Sequence, residues 1–307
     1  MSAPAATASL RRYGGNSVLR AVGYMCLASL FFPILNASVK YLGQRYPITE
    51  VFFARYLGHC VICLALFLPR HGRQLFATSR PGLHVLRAGL LFCASAFYFL
   101  GIQTIDLSTA AAISFAGPIF VTAFSVPLLG EKVGLRRWSA VLAGFIGALV
   151  IIRPGTAVMQ WGAVLVMIDA LAYGLYQILS RKVGSIDPAY TSITLAGLGG
   201  FLLSCLILPF FAIRLPDNAV DLAVFAAIGL WGLLGHYFVI KAVQWGRAAV
   251  VAPVAYVELV GATLIGWLLF AEFPDGWTWL GAAIIVGSGL YITLRERRLQ
   301  RLREGEG

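Results

Sequence analysis

What this sequence lacks is charge. Only 12% of its 307 residues are Asp, Glu, Lys or Arg, while 59% are hydrophobic. So few charges cannot cover the apolar surface of a soluble protein of this length, which excludes an ordinary soluble domain. Mean hydropathy is +0.82. Several motifs are missing as well. No G-x-x-x-x-G-K-[ST] phosphate loop occurs, so nothing points to ATP. The G-x-S-G of an intramembrane protease fails at Ser288, which has Val286 two residues before it. Acidic clusters of the kind membrane prenyltransferases need do not occur within the apolar runs. The cysteines number five, and all stand in apolar runs. Cys60 and Cys63 form a C-x-x-C beside His59, but no second ligand pair follows, so they read as small packing residues and no metal or cofactor is expected. No cleavable leader is visible, because the first apolar run is long enough to stay as an anchor. A net charge of +11 suggests nucleic acid at first sight. The basic residues, however, sit in short loops between apolar runs, where they fix orientation, and no nucleic-acid partner is expected.

What is present is a series of ten long apolar runs: 19–39, 48–69, 83–104, 107–129, 138–153, 159–180, 188–212, 220–243, 249–270 and 277–294. A helix crosses a hydrocarbon core of about 30 Å with about 20 such residues. Turn residues separate the runs, among them Gly43 to Pro47, Gly130 to Gly134, Pro154-Gly155 and Pro274 to Gly276. With the N-terminus in the cytoplasm, 19 of the 24 Lys and Arg fall on the inner side. Four fall outside (Lys40, Arg45, Arg153 and Arg214), and Arg55 lies within the second run. That asymmetry predicts an all-α integral membrane protein of ten transmembrane helices in a bacterial inner (plasma) membrane, with both ends cytoplasmic. The segment 1–18 reads as a cytoplasmic tail, and 295–307 as a basic cytoplasmic tail trailing into disorder.

The chain also repeats itself. Adding 141 carries Gly43 to Gly184, Pro47 to Pro188, Phe97 to Phe238, Glu131 to Glu272, Trp138 to Trp279 and Lys40 to Arg181. Five helices per copy put the halves in opposite senses, and the charges follow. Lys132, Arg136 and Arg137 come after Glu131, whereas Asp275 and no basic residue comes after Glu272. The reading is two inverted five-helix repeats, 19–155 and 156–294, an arrangement that marks secondary transporters.

The stretch Asp106 to Gly155 has small residues, a mid-helix Pro118, Gly130-Glu131 at a helix end, then a basic pair and Trp138. The second copy has Pro253, Tyr256, Glu272, Trp279, Gly281 and Gly289. This pattern resembles the EamA-type family of the drug/metabolite transporter superfamily. The resemblance implies a ten-helix basket with a central cavity, no cofactor, and export or carriage of amino acids, S-adenosylmethionine, riboflavin or other metabolites.

Ionisable groups deep in a membrane are costly, so each is a candidate for function. Glu258, mid-way along the ninth run, could bind a substrate amine, carry a coupling proton, or hydrogen-bond between helices. Asp169, Tyr173, Tyr176 and Ser180 share one helical face, which either lines a cavity or packs on another helix. Arg55 could meet a substrate carboxylate, Glu50 or Asp169. His236 could relay a proton or touch ligand, and Tyr98 and Tyr256 could stack on it. Tyr256 and Glu258 point about 200° apart on a regular helix, so both reach one cavity only if that helix is broken near Pro253. Pro33, Pro118 and Pro253 are candidate bends or simple packing kinks. Glu131 and Glu272 read as loop-ordering residues. The expected activity is transport of an amine-bearing or planar metabolite by alternating access, coupled to protons or sodium. An intramembrane enzyme or a membrane scaffold is the alternative.

Overall fold

The computed structural model describes residues 15–130, 134–156, 159–184, 187–211, 213–245 and 254–305. Among them there are helices and no strands. The helices are α1 (Gly15–Gly43), α2 (Ile48–His71), α3 (Pro81–Gly101), α4 (Leu107–Ser114), α5 (Gly117–Leu129), α6 (Leu135–Ile152), α7 (Trp161–Gly184), α8 (Ala189–Ile207), α9 (Ala219–Trp245), α10 (Val257–Phe270) and α11 (Gly276–Gly305). Seven stretches are long and apolar enough to cross a membrane, and three shorter apolar helices lie at 138–152, 257–270 and 276–292. Large apolar side chains stand on the outside of the bundle, Leu135 and Phe210 among them. That suits lipid, not water, as the surrounding solvent.

Helix contacts come in pairs. α1 packs on α9, and α7 packs on α3; α2 packs on α9, and α8 on α3; α1 packs on α10, and α7 on α5. The 141-residue shift turns the first member of each pair into the second. Two further contacts, α2 on α8 and α6 on α11, join a helix to its own counterpart, and α4 of the fourth run packs on α10 of the ninth. Glycines set the close approaches. A Cβ on Gly229 of α9 would lie 2.6 Å from the Cα of Gly58 in α2, and one on Gly147 of α6 would lie 2.9 Å from the carbonyl oxygen of Gly281 in α11. Without side chains at these points, backbones meet directly, and dispersion replaces the hydrophobic drive that lipid does not supply.

The fourth run is two helices. α4 ends at Ser114 and α5 starts at Gly117, with Pro118 in its first turn, where a missing N–H costs nothing. The ninth run has a matching break: Val254 and Ala255 are helical, Tyr256 is a turn, and α10 starts at Val257. Pro253 lies outside the described residues, as does Glu131. Pro33 makes no break, since α1 continues through it. The C-terminal tail differs from expectation. α11 runs to Gly305 instead of fraying after 294, because Leu, Arg, Glu and Gln are all good helix formers.

Both repeats end their broken helix in the left-handed region, at Gly130 (φ 67°) and at its equivalent Ala271 (φ 54°). After Ala271 the Glu272 N–H returns to the Gly266 carbonyl, which turns the Glu272 side chain back toward α1.

Candidate functional site

The breaks at Phe115 and Tyr256 meet. These two residues are equivalent under the repeat, and their rings lie 4.7 Å apart. Around this point the structure gathers most of the intramembrane polar groups. Ser114, the last residue of α4, donates to the Asp169 carboxylate on α7 at 3.3 Å. Asp169 interacts electrostatically with Arg55 and Glu258. Tyr98 on α3 interacts with both carboxylates and accepts a hydrogen bond from Asn36 on α1 at 3.1 Å. Tyr173 interacts with Asp169 and Glu258, and stacks on Tyr176 at 5.5 Å. His236 meets Phe32 edge-on at 5.3 Å and feels the Arg55 charge. At the break of the ninth run the Tyr256 ring meets Phe115 while its hydroxyl lies against α11 at Gly289, and Glu258 interacts with Asp169, Tyr98 and Tyr173.

Arg55 is buried, at 7% exposure, yet its Nη1 has no hydrogen-bond partner among the described residues. The guanidinium lies over the rings of Tyr56 and Phe99 at 5.0 and 4.9 Å. Those faces offset part of its charge but supply no acceptor for its N–H groups. The suggested pairing with Glu50 does not form, because Glu50 accepts from the backbone N–H of Arg214 instead. The site therefore holds a guanidinium with a free donor that interacts with the Asp169 carboxylate, which also accepts from Ser114 and in turn interacts with Glu258. Such an arrangement complements a molecule with an anionic and a cationic group.

Sequence reasoning missed other residues. Arg87 counts as an orienting loop charge in the sequence, but it is buried in α3. Its Nε donates to Ser180 at 2.7 Å, Nη2 to the Tyr176 hydroxyl at 3.1 Å and Nη1 to the Ser192 carbonyl at 3.1 Å. The signal was available, since Arg87 stands inside the third apolar run. Near it, at the end of the bundle that carries both chain termini, Asp187 accepts from Thr78 at 2.6 Å and from His84 Nε2 at 2.8 Å. Those two hydrogen bonds hold the Asp187 carboxyl below the ordinary carboxylate range. At the opposite end, Lys40, Glu272 and Asp221 also bind across the bundle. Asp221 accepts from Tyr46 at 2.7 Å and Tyr41 at 2.8 Å, and Lys40 Nζ lies 2.5 Å from Glu272. Glu272 thus does more than order its loop.

Among known proteins, the chain is similar to an S-adenosylmethionine uptake transporter of Rickettsia felis, 28% identical over 91% of this chain and 94% of the relative. It is 30% identical to a riboflavin transporter of Rhizobium johnstonii, over 91% of this chain and 92% of that one. A riboflavin transporter of Vibrio cholerae is 31% identical over 91% and 94% of the two chains. A crystal structure of a protein 20% identical in sequence shares the fold with a TM-score of 0.64, covering 93% of this chain and 99% of that one. A family model matches twice, at residues 19–153 and 160–294, and on that match the chain belongs to the EamA-like transporter family.

Proposed function

We propose that this transporter moves a small zwitterionic metabolite across a bacterial inner membrane by alternating access. Ten crossings form two inverted five-helix halves, with both termini in the cytoplasm. The observation that carries the reading is the set of principal helix contacts, α1 on α9, α2 on α9 and α1 on α10, each matched by its repeat equivalent, α7 on α3, α8 on α3 and α7 on α5. Two halves related in this way have two equivalent ways to tilt against each other, and each tilt opens one side. Substrate binds between the two broken helices, near Phe115 and Tyr256, among Asp169, Tyr173, Tyr98, His236, Glu258 and Arg55. The breaks suit this place, because unwound backbone is tolerated at membrane depth where it lines a site.

The charges support the substrate class. Arg55 Nη1 awaits an acceptor, and the Asp169 and Glu258 carboxylates, which face each other electrostatically, would be met by a cation. A molecule with one carboxylate and an ammonium or sulfonium group satisfies both ends. Of the cargoes named for the relatives, S-adenosylmethionine has those groups and riboflavin has neither. Asp169 or Glu258 also carries the coupling proton, or meets a sodium ion, on the return step. The test is counterflow in proteoliposomes. Arg55→Met should raise the KM for the zwitterion about 10- to 150-fold, as loss of a charge-assisted hydrogen bond of about 1.5–3 kcal/mol implies. Unchanged transport in both Asp169→Asn and Glu258→Gln would sink the site assignment.

A further inference from the structure

At the end of the bundle away from the termini, several polar links cross from the first repeat to the second. Tyr41 and Tyr46 reach Asp221, Glu50 takes the Arg214 N–H, and Arg153 pairs with Asp275. Compared with Arg153, whose side chain is 20% exposed, Lys40 lies deeper. Its side chain is 3% exposed, against 21% for Glu272. Its ammonium group lies 2.5 Å from Glu272, donates to the Ile105 carbonyl at 2.8 Å and faces the Phe270 ring at 5.5 Å. It therefore ties α1, the α3–α4 turn and the end of α10 at one point. The other oxygen of Glu272 is buried without a hydrogen bond among the described residues, so the carboxylate is committed to Lys40. Next to Ile105, burial and then the Glu272 charge push the Asp106 carboxyl up. One turn along α1 from Lys40 is Asn36, which holds Tyr98 at the candidate substrate site.

We propose that Lys40 and Glu272 form the gate that closes this end of the substrate route. The proposal rests on the transporter reading. A buried ion pair suits a gate better than an apolar plug. Closed, each charge is neutralised by the other; open, each is hydrated. Neither state leaves a charge stranded, so the two differ by little and can exchange. Removing one partner penalises the closed state alone, because only there does the remaining charge stay buried.

The experiment uses Ala37→Cys, three residues before Lys40 on α1 and 5% exposed, in a chain whose native cysteines are replaced. An impermeant thiol reagent is added to the external face of right-side-out vesicles. Labelling is slow in the parent. Glu272→Gln should speed it about tenfold, because the rate follows the fraction of molecules open at that end. The reversed pair, Lys40→Glu with Glu272→Lys, should bring it back toward the parent rate. Glu272→Gln that elutes as a folded monodisperse protein yet labels within about twofold of the parent overturns the gate. If Glu272→Gln does not fold, Lys40→Met stands in, with the same two outcomes. Labelling needs no substrate. Faster labelling in Glu272→Gln, with no compound exchanged in counterflow, would therefore refute the transport reading while still showing that the Lys40–Glu272 pair holds this end closed.

Discussion

The crossing of α2 and α9 places Arg55 and His59 on either side of Gly58, so its tightness has consequences for the site. In Gly229→Ala the new Cβ would lie 2.6 Å from the Gly58 Cα, and 2.7 Å from both the Gly58 carbonyl carbon and the His59 nitrogen. All three are backbone atoms and cannot swing aside. Carbon contacts settle at about 3.5–4.0 Å, so the helices must part by about 1 Å. Overpacking of this kind costs about 1–3 kcal/mol. Gly89→Ala in α3 is the control, because no atom lies within 4 Å of its Cβ position. There the change removes only a helical glycine and should stabilise by up to about 1 kcal/mol. The two variants should therefore differ by about 1–4 kcal/mol. Soluble protein remaining after heating in detergent, followed by size-exclusion chromatography, ranks them. Gly58→Ala, whose Cβ meets Gly229 at 3.0 Å, should fall between. If Gly229→Ala survives heat as well as Gly89→Ala does, the close crossing does not exist as described.

Three further outcomes follow from the structure. Gly289→Ala should reduce transport more than heat stability, because its Cβ would overlap the Tyr256 hydroxyl and push that ring off Phe115; a loss of stability with unchanged KM would refute this. Ala271→Gly should raise heat stability by about 0.5–1 kcal/mol, since it relieves a left-handed alanine at φ 54°, and an unchanged or lower melting point would refute that. Asp187 has a depressed carboxyl, so its contribution is present above its ordinary value of 3.8 and is lost as pH falls through the lower folded value. The stability gap between the parent and Asp187→Asn should accordingly stay constant from neutral pH down to that range and close only below it; a gap that closes between pH 7 and 5 contradicts the link to Thr78 and His84.

Much of the helical order was legible because lipid imposes one rule, long apolar runs punctuated by turns. The repeat was legible because one ungapped shift aligns Glu131 with Glu272 and Trp138 with Trp279. Each break could be read to within a turn, from Pro118 three residues after Phe115 and from Pro253 three residues before Tyr256. Arg87 and Lys40 escape the sequence for a shared reason. Counting basic residues per loop treats each as solvated, whereas a guanidinium or ammonium one or two turns inside a helix end can turn inward if acceptors from another helix wait there. Those acceptors, the Ser192 carbonyl for Arg87 and the Ile105 carbonyl for Lys40, are backbone atoms that no side-chain pattern reports. Asn36 could have been found, as a lone amide within the first apolar run.

The proposal that this chain carries a zwitterion stands or falls on exchange by the unaltered protein. Wild-type protein would be reconstituted into liposomes preloaded with S-adenosylmethionine, aromatic or other amino acids, riboflavin or polyamines, and entry of the labelled compound followed. Saturable counterflow of a compound bearing both a carboxylate and a cationic group, S-adenosylmethionine foremost, is the expected result. Exchange of riboflavin alone would contradict the charge argument built on Arg55, Asp169 and Glu258, and no saturable exchange of any compound by folded protein would contradict transport itself.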